Sequence, residues 1–190
     1  MIQEISSKVV GQLVQAKYTD LWESKKIPIP FFDNQEFAVT FNLAQEDNIN
    51  IFMDEADLAL TCFLKLNTED RDSISDRVYK NCMDFLDGVV FEESDELLRQ
   101  IRDKNDIWNY IYPGGVIIER RHCNDRDIYV SVGCRCSWDQ EYGHGLHFVF
   151  RQGKKITRIS DFDSGMHLTD ADAFDIPDEE DELLSAFHCD

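Results

Sequence analysis

The segment "DIYVSVGCRCSW", residues 127–138, places apolar residues at every second position. Successive side chains of a β-strand point to opposite faces of the sheet, so this period of two predicts a strand with one buried face. The residues on the predicted core face are Ile128, Val130, Val132, Cys134, Cys136 and Trp138. The opposite face carries Tyr129, Ser131, Gly133, Arg135 and Ser137.

Three further strand-like segments surround this one. "VIIER" (116–120) precedes it, and "GLHFVFR" (145–151) and "KITRIS" (155–160) follow it. Gln152-Gly153 supplies a tight turn between the last two segments. The last third of the chain is therefore predicted to form an antiparallel β-meander.

The middle of the chain changes to a helical period, with apolar residues three and four positions apart. Acidic residues, Asn and Ser at the segment starts, and Gly or Pro-Gly at the ends, mark the helix boundaries. The three predicted helices cover 52–66, then from a cap at Asn67 or Thr68 to Gly88, and then from a cap at Ser94 to Pro113-Gly114.

Near the N-terminus, "KIPIPFFDNQEFAVTFN" (residues 26–42) predicts a β-hairpin at a sheet edge. Pro28 and Pro30 hold an extended backbone and lack the amide hydrogen that a central strand needs. Asp33-Asn34 supplies a turn, after which apolar residues alternate. The order of segments predicts an α+β fold with an N-terminal β-hairpin, about three central helices, and a C-terminal antiparallel meander packed by helices. No linker interrupts the chain, so 1–190 is predicted to be a single domain with an acidic C-terminal segment at 161–190.

Composition is typical of a folded protein, because 43% of the 190 residues are hydrophobic. The first residues do not resemble a secretory signal peptide, and no apolar run approaches the length of a membrane span. We therefore expect a cytoplasmic protein whose six cysteines are free thiols.

Charge is the strongest global feature, with a formal net charge of −19. Such a field repels nucleic acid and anionic membranes and attracts basic proteins, although it also serves solubility. No Lys or Arg occurs from residue 161 onward, and basic residues lie just before, at Arg151, Lys154, Lys155 and Arg158. Acidic residues recur in this last part, at Asp161, Asp163, Asp170, Asp172, Asp175, Asp178, Glu179, Glu180, Asp181 and Glu182.

The segment "CRCSWDQEYGHGLH" (134–147) suggests a zinc site, but its strand register argues against one. Both cysteines share the core face, His144 follows that parity, and His147 falls on the opposite face. We therefore predict no metal, no cofactor and no catalytic residue here. Cys123, beside Arg120, Arg121 and His122, is the only cysteine predicted to be both exposed and in an electropositive setting, and we interpret it as part of a hairpin loop.

Residues 161–172 place Asp161, Asp163 and Asp172 at the first, third and twelfth positions of a calcium loop. Gly165 is one position too early, and the last ligand is not a bidentate Glu. Whether this segment binds calcium therefore stays open at the level of sequence.

Three quoted stretches carry a family resemblance: "KIPIPFF", "CRCSWDQEYGHGLHFVFRQGK" and "SGMHLTDADAF". Together they resemble a bacterial domain family of unknown function. Such families are similar to the immunity proteins of polymorphic-toxin and contact-dependent inhibition systems. This resemblance implies a protein that binds and neutralises a cognate toxin, and not an enzyme.

The resemblance and the charge together predict an immunity-type inhibitor of a basic toxin, a class that includes nucleases. Thr169 is predicted to cap a helix, with Phe174 and Ile176 anchoring it to the body. The predicted partner-binding residues are Asp170, Asp172, Asp175, Asp178, Glu179, Glu180, Asp181 and Glu182. The alternatives are a metal-binding or hydrolytic enzyme, and an interaction module without a toxin partner.

Overall fold

The chain folds as N-terminal strands, a helical middle and C-terminal strands. The computed structural model describes residues 4–17, 19, 21–44, 47–89, 95–122, 125–139, 143–162 and 167–178. The first strands are β1 (Ser6–Ser7), β2 (Gly11–Gln12), β3 (Val14–Gln15), β4 (Leu21–Glu23), β5 (Ile27–Ile29), β6 (Gln35–Phe37) and β7 (Val39–Asn42). The helices that follow are α1 (Ile49–Phe63), α2 (Thr68–Asp72), α3 (Ser75–Gly88) and α4 (Asp95–Arg99). The last elements are β8 (Ile111–Arg120), β9 (Ile128–Cys136), β10 (Leu146–Arg151), β11 (Lys155–Asp161) and α5 (Asp170–Phe174).

Seven strands form the main sheet, in the order β11-β10-β9-β8-β7-β4-β3. Neighbouring strands from β8 to β11 are antiparallel, with Val132 opposite both Phe148 and Val116. The predicted α+β class and C-terminal antiparallel meander are therefore confirmed. One pairing was not predicted, because β7 runs parallel to β8, with Val39 opposite Val116. A parallel pair needs a long crossover connection, which the helical middle of the chain provides.

The predicted N-terminal hairpin is present as β5 paired with β6, in a small sheet of its own. Asp33 and Asn34 make its turn, both at positive φ (54° and 59°), a conformation that Asp and Asn tolerate better than most residues. The alternation that follows the hairpin continues into β7 of the main sheet. There Val39 and Phe41 are almost fully buried.

The helical middle is present, but its first helix begins and ends three residues before the predicted 52–66, and the rest is more broken than predicted. Helix α1 starts at an Asn48 cap, and the predicted second helix is two helices. The first of these, α2, begins with a capping box of Asn67 and Asp70, and α3 ends at Gly88 as predicted. The predicted third helix is wrong beyond α4, because Lys104–Tyr110 is a 3₁₀-helix and Pro113-Gly114 lies inside β8 at a bulge. None of the helices among the described residues is long and apolar enough to cross a membrane.

The main core lies between the helices and one face of the sheet. Aromatic rings fill its centre, with the Phe63 and Phe150 centroids 5.0 Å apart and those of Trp108 and Phe148 5.5 Å apart. The predicted core face of β9 is confirmed, since every residue on it from Ile128 to Cys136 is at most 4% exposed. Trp138 is also buried, but it lies in a 3₁₀-helix after the strand.

The opposite face of the sheet is covered in part by residues 167–178, which we call the C-terminal segment. Leu168 from this segment forms a second apolar cluster with Tyr129 and Val149. Tyr129 and Ser131 were predicted to lie on the polar face, yet both are buried, at 0% and 1% exposure. The C-terminal segment therefore adds a third layer to this part of the fold, on the face of the sheet opposite the helices.

Candidate functional site

The cysteine–histidine motif is divided between the two faces of the sheet, as its register predicted. Cys134 and Cys136 lie in the core, and burial raises the pKa of both thiols. His147 is buried on the other face, with its ring edge-on to Phe162 at 5.0 Å. The prediction for His144 is wrong, because it is exposed in the loop before β10. Over the described ranges, no group of three His, Cys, Asp or Glu side chains is arranged to hold a metal ion.

The residues around His144 form a loop whose backbone is held by a hydrogen bond to a buried carboxylate. Asp139 is 5% exposed, and its Oδ2 accepts the amide hydrogen of Gly145 at 2.6 Å. Gly145 has a φ of +66°, and a Cβ there would lie 2.1 Å from the carbonyl oxygen of Cys134. Only glycine fits this position without moving the backbone. The Trp-Asp and Gly-His-Gly parts of the motif therefore build a loop that presents His144 to solvent.

The expectation that the cysteines are free thiols is only partly met among the described residues. Cys82, Cys134 and Cys136 are free thiols, and burial raises the pKa of Cys82 to about 12. Cys62 is disulfide-bonded, so the expectation of free thiols is wrong for this residue. Cys123, which sequence reasoning interpreted as a hairpin-loop residue, lies outside the described residues.

Among the described residues, Arg121 is the centre of the largest ion-pair cluster, and sequence reasoning missed its role. Its side chain is 3% exposed and makes paired hydrogen bonds to Asp172 (2.9 and 2.6 Å) and to Asp178 (3.1 and 2.9 Å). Asp125 accepts a further bond at 3.0 Å. Burial disfavours the charged guanidinium, but the hydrogen bonds to Asp178 and Asp172 outweigh this and raise the pKa of Arg121. Two of the predicted partner-binding residues thus neutralise a buried cation.

Asp125 connects this cluster to the sheet. It accepts the hydroxyl hydrogen of Tyr129 at 2.7 Å, and its other oxygen accepts the amide hydrogen of Asp127 at 2.8 Å. Burial raises the pKa of Asp125, but these two hydrogen bonds, the charge of Arg151 and the hydrogen bond from Arg121 outweigh it and lower the pKa overall. The carboxylate therefore stays ionised beside Arg121.

Asp170 also makes intramolecular contacts. It is 8% exposed, accepts a hydrogen bond from the hydroxyl of Ser160 at 2.8 Å, and lies 4.0 Å from Nε of Arg158. Arg158 in turn donates to the carbonyl of His167 at 2.8 Å. The Thr169 cap is confirmed, since its hydroxyl accepts the amide hydrogen of Asp172. These contacts, together with Arg121, hold the C-terminal segment against the sheet.

The surface that remains free on this segment differs from the predicted one. Phe174 is 64% exposed and Ile176 is 37% exposed, so the prediction that they anchor the segment to the body is wrong. Leu168 and Ala171 are the apolar residues that face inward instead. Asp175 stands between the two exposed side chains and is itself exposed. We call residues 174–176 the exposed patch.

Two predictions fall wholly or partly outside the described residues. Glu179, Glu180, Asp181 and Glu182 lie outside them, so their placement stays a prediction. Residues 163–166 of the candidate calcium loop are also outside. Asp172 is the residue at the twelfth position of that loop, and both of its carboxylate oxygens accept hydrogen bonds from Arg121. A calcium ion would need the same carboxylate as a ligand.

Comparison with known proteins gives a family but no function. No curated protein and no solved structure matches the chain. A model of the family described as "Domain of unknown function (DUF6985)" matches residues 9–167, from the N-terminal strands to the start of the C-terminal segment. The chain therefore belongs to the DUF6985 family.

Proposed function

We propose that this chain is an immunity-type inhibitor, which binds a basic toxin domain and neutralises it through its C-terminal acidic surface. The observation that carries the proposal is the exposed patch on a segment that buried ion pairs hold in place. Net charge supports the choice of partner, since −19 over 190 residues favours a basic protein and disfavours nucleic acid.

The exposed patch has the composition of a protein-binding anchor. Aromatic and aliphatic side chains at the centre of an interface supply most of the binding energy, and charges around them increase the association rate. Phe174 and Ile176 are exposed apolar side chains that can act as anchors, and Asp175 is an exposed charge beside them. An apolar pair flanked by acidic residues is suited to a basic partner that also has an apolar pocket.

The ion pairs give this patch a fixed position before any partner binds. Arg121 makes two bidentate contacts to the segment that carries the patch, and Thr169 caps its helix. Ordering a free segment on binding costs free energy, and a segment that is already docked avoids most of that cost. Asp172 and Asp178 therefore support binding through position, whereas Asp175 supports it through charge.

Co-expression with a basic toxin domain tests the proposal, and any toxin domain found to be encoded next to this gene is the one to use. Wild-type protein should restore growth of cells that make the toxin domain. The double variant Phe174→Ala, Asp175→Asn should fail to do so, and its dissociation constant should rise about tenfold or more. Asparagine is chosen because Asp175 has a φ of +53°, which Asn also tolerates.

A matched control uses another exposed apolar–acidic pair. Leu97 is 62% exposed on α4, next to the exposed Glu96. The variant Leu97→Ala, Glu96→Gln should bind and protect like wild type. The proposal is wrong if wild-type protein gives no protection, or if both double variants bind with unchanged affinity.

A further inference from the structure

A cleft of about 900 Å³ opens on the face of the sheet opposite the helices. It lies over β8 and β9, beside the area that the C-terminal segment covers. Its floor is formed where Gly115 and Gly133 face each other across the two strands. A Cβ at Gly115 would meet no atom within 4 Å, so the space exists because side chains are missing from the strands. The volume is in the range of small-molecule sites.

The exposed charge at this cleft is positive, against the sign of the whole protein. Arg135 borders it, is exposed, and has no ion pair in the part of the chain that the structure describes. By contrast, Arg71, Arg99, Arg120, Arg121, Arg126, Arg151 and Arg158 all have carboxylate partners. Arg77 and Arg102 also lack an ion pair among the described residues, but neither of them borders the cleft. In a chain with twice as many acidic as basic residues, an arginine without a carboxylate in a cleft is available to an external anion.

The remaining polar groups are compatible with an anion. His144 borders the cleft and offers a further N–H donor. Asp139 also borders it, but its Oδ2 is bound to the Gly145 amide and its Oδ1 is buried, so neither oxygen is directed to solvent in the cleft. The field of the −19 net charge is screened over about 8 Å at physiological ionic strength, so contact with Arg135 dominates at short range.

Two aromatic rings form walls of the same cleft. Tyr112 is 47% exposed and lies directly opposite Arg135 on the neighbouring strand. Phe162 lies over Gly133, where a Cβ would be 3.0 Å from the phenyl ring, and the edge-on contact with His147 holds it there. Aromatic walls over a glycine floor favour a flat ligand.

We infer that this cleft binds a small planar ring that carries an anionic group, with the carboxylate or phosphate on Arg135 and the ring against Tyr112 and Phe162. The site is separate from the exposed patch and does not depend on the proposed inhibitor function. Each proposal can therefore fail while the other stands.

Amide-resolved titration with small probes tests this inference on the full chain in 0.15 M salt. Benzoate and phenyl phosphate should shift the resonances of Gly115, Gly133 and Arg135 at millimolar concentrations, whereas the neutral benzamide should bind about tenfold more weakly or not at all. The tighter of the two anions identifies whether carboxylate or phosphate is preferred.

Three variants make the assignment specific. Arg135→Gln should weaken binding of the anions about tenfold or more and leave benzamide unaffected. Gly115→Leu should fill the cleft and abolish binding, whereas Gly88→Leu, at another glycine with open space around it, should bind like wild type. No binding of either anion up to about 10 mM would overturn the inference, as would equal binding of benzamide or unchanged affinity in both Arg135→Gln and Gly115→Leu.

Discussion

Replacing Arg121 with methionine should lower the free energy of unfolding by about 3 kcal/mol, a loss of roughly 10 °C in melting temperature for a chain of this size. Removing one member of a buried ion pair is costly because the remaining charges lose their partner. We expect the lower end of the usual range, because Asp178 is 42% exposed and can be rehydrated. Thermal unfolding and hydrogen exchange over residues 167–178 measure the two consequences, which are global destabilisation and release of the C-terminal segment.

Arg135→Met is the matched control for this experiment, because Arg135 is exposed and has no ion pair among the described residues. Its stability should change by less than about 0.5 kcal/mol. The account of the Arg121 cluster fails if both variants melt within about 2 °C of each other, a difference of about 0.5–1 kcal/mol, and exchange of the C-terminal segment is unchanged.

Gly153→Ala should destabilise the protein by about 3–5 kcal/mol, because two separate penalties combine at this position. Gly153 has a φ of +70°, which costs an alanine about 1–2 kcal/mol. A Cβ would also lie 1.9 Å from the carbonyl oxygen of Ala59 in α1, so the β10–β11 turn would have to move away from the helix. Chemical denaturation of the purified variant measures the loss.

Gly11→Ala separates the two penalties. Gly11 has a φ of +80°, but a Cβ there meets nothing within 4 Å. This variant should therefore lose only the conformational part, about 1–2 kcal/mol. Equal losses in the two variants would show that the turn does not pack against α1 as described.

Local sequence patterns predicted the elements whose causes are local. The alternation in β9 identified its core face, and Gln152-Gly153 identified a turn in which both residues have positive φ. The parallel pairing of β7 with β8 was not predictable in the same way, because it joins residues more than 70 positions apart. The spacing of Ile107, Trp108 and Ile111 suits a helix, yet Ile111 pairs with Cys136 in the sheet. Tertiary pairing overrode the local preference there.

The candidate site shows the same limit more clearly. The acidic residues near the C-terminus were evident from sequence, but which of them remain free depends on Arg121, which lies 51 positions before Asp172. Phe174 and Ile176 were predicted to be buried because they are apolar. In the structure the ion pairs and Leu168 hold the segment, which leaves these two side chains exposed. The surface cleft had no sequence signal beyond two glycines in adjacent strands.

The most direct test of the proposed inhibitor function is the rate of association with the toxin domain used in the co-expression experiment, measured as a function of salt. The variant with Glu179→Lys, Glu180→Lys and Asp181→Lys reverses charge in the predicted binding run that follows the exposed patch. At low ionic strength it should associate about tenfold more slowly than wild type, and the difference should shrink as salt screens the charges. If the variant folds normally and associates with the toxin domain at the wild-type rate in low salt, the acidic run does not guide binding and the proposed interface is wrong.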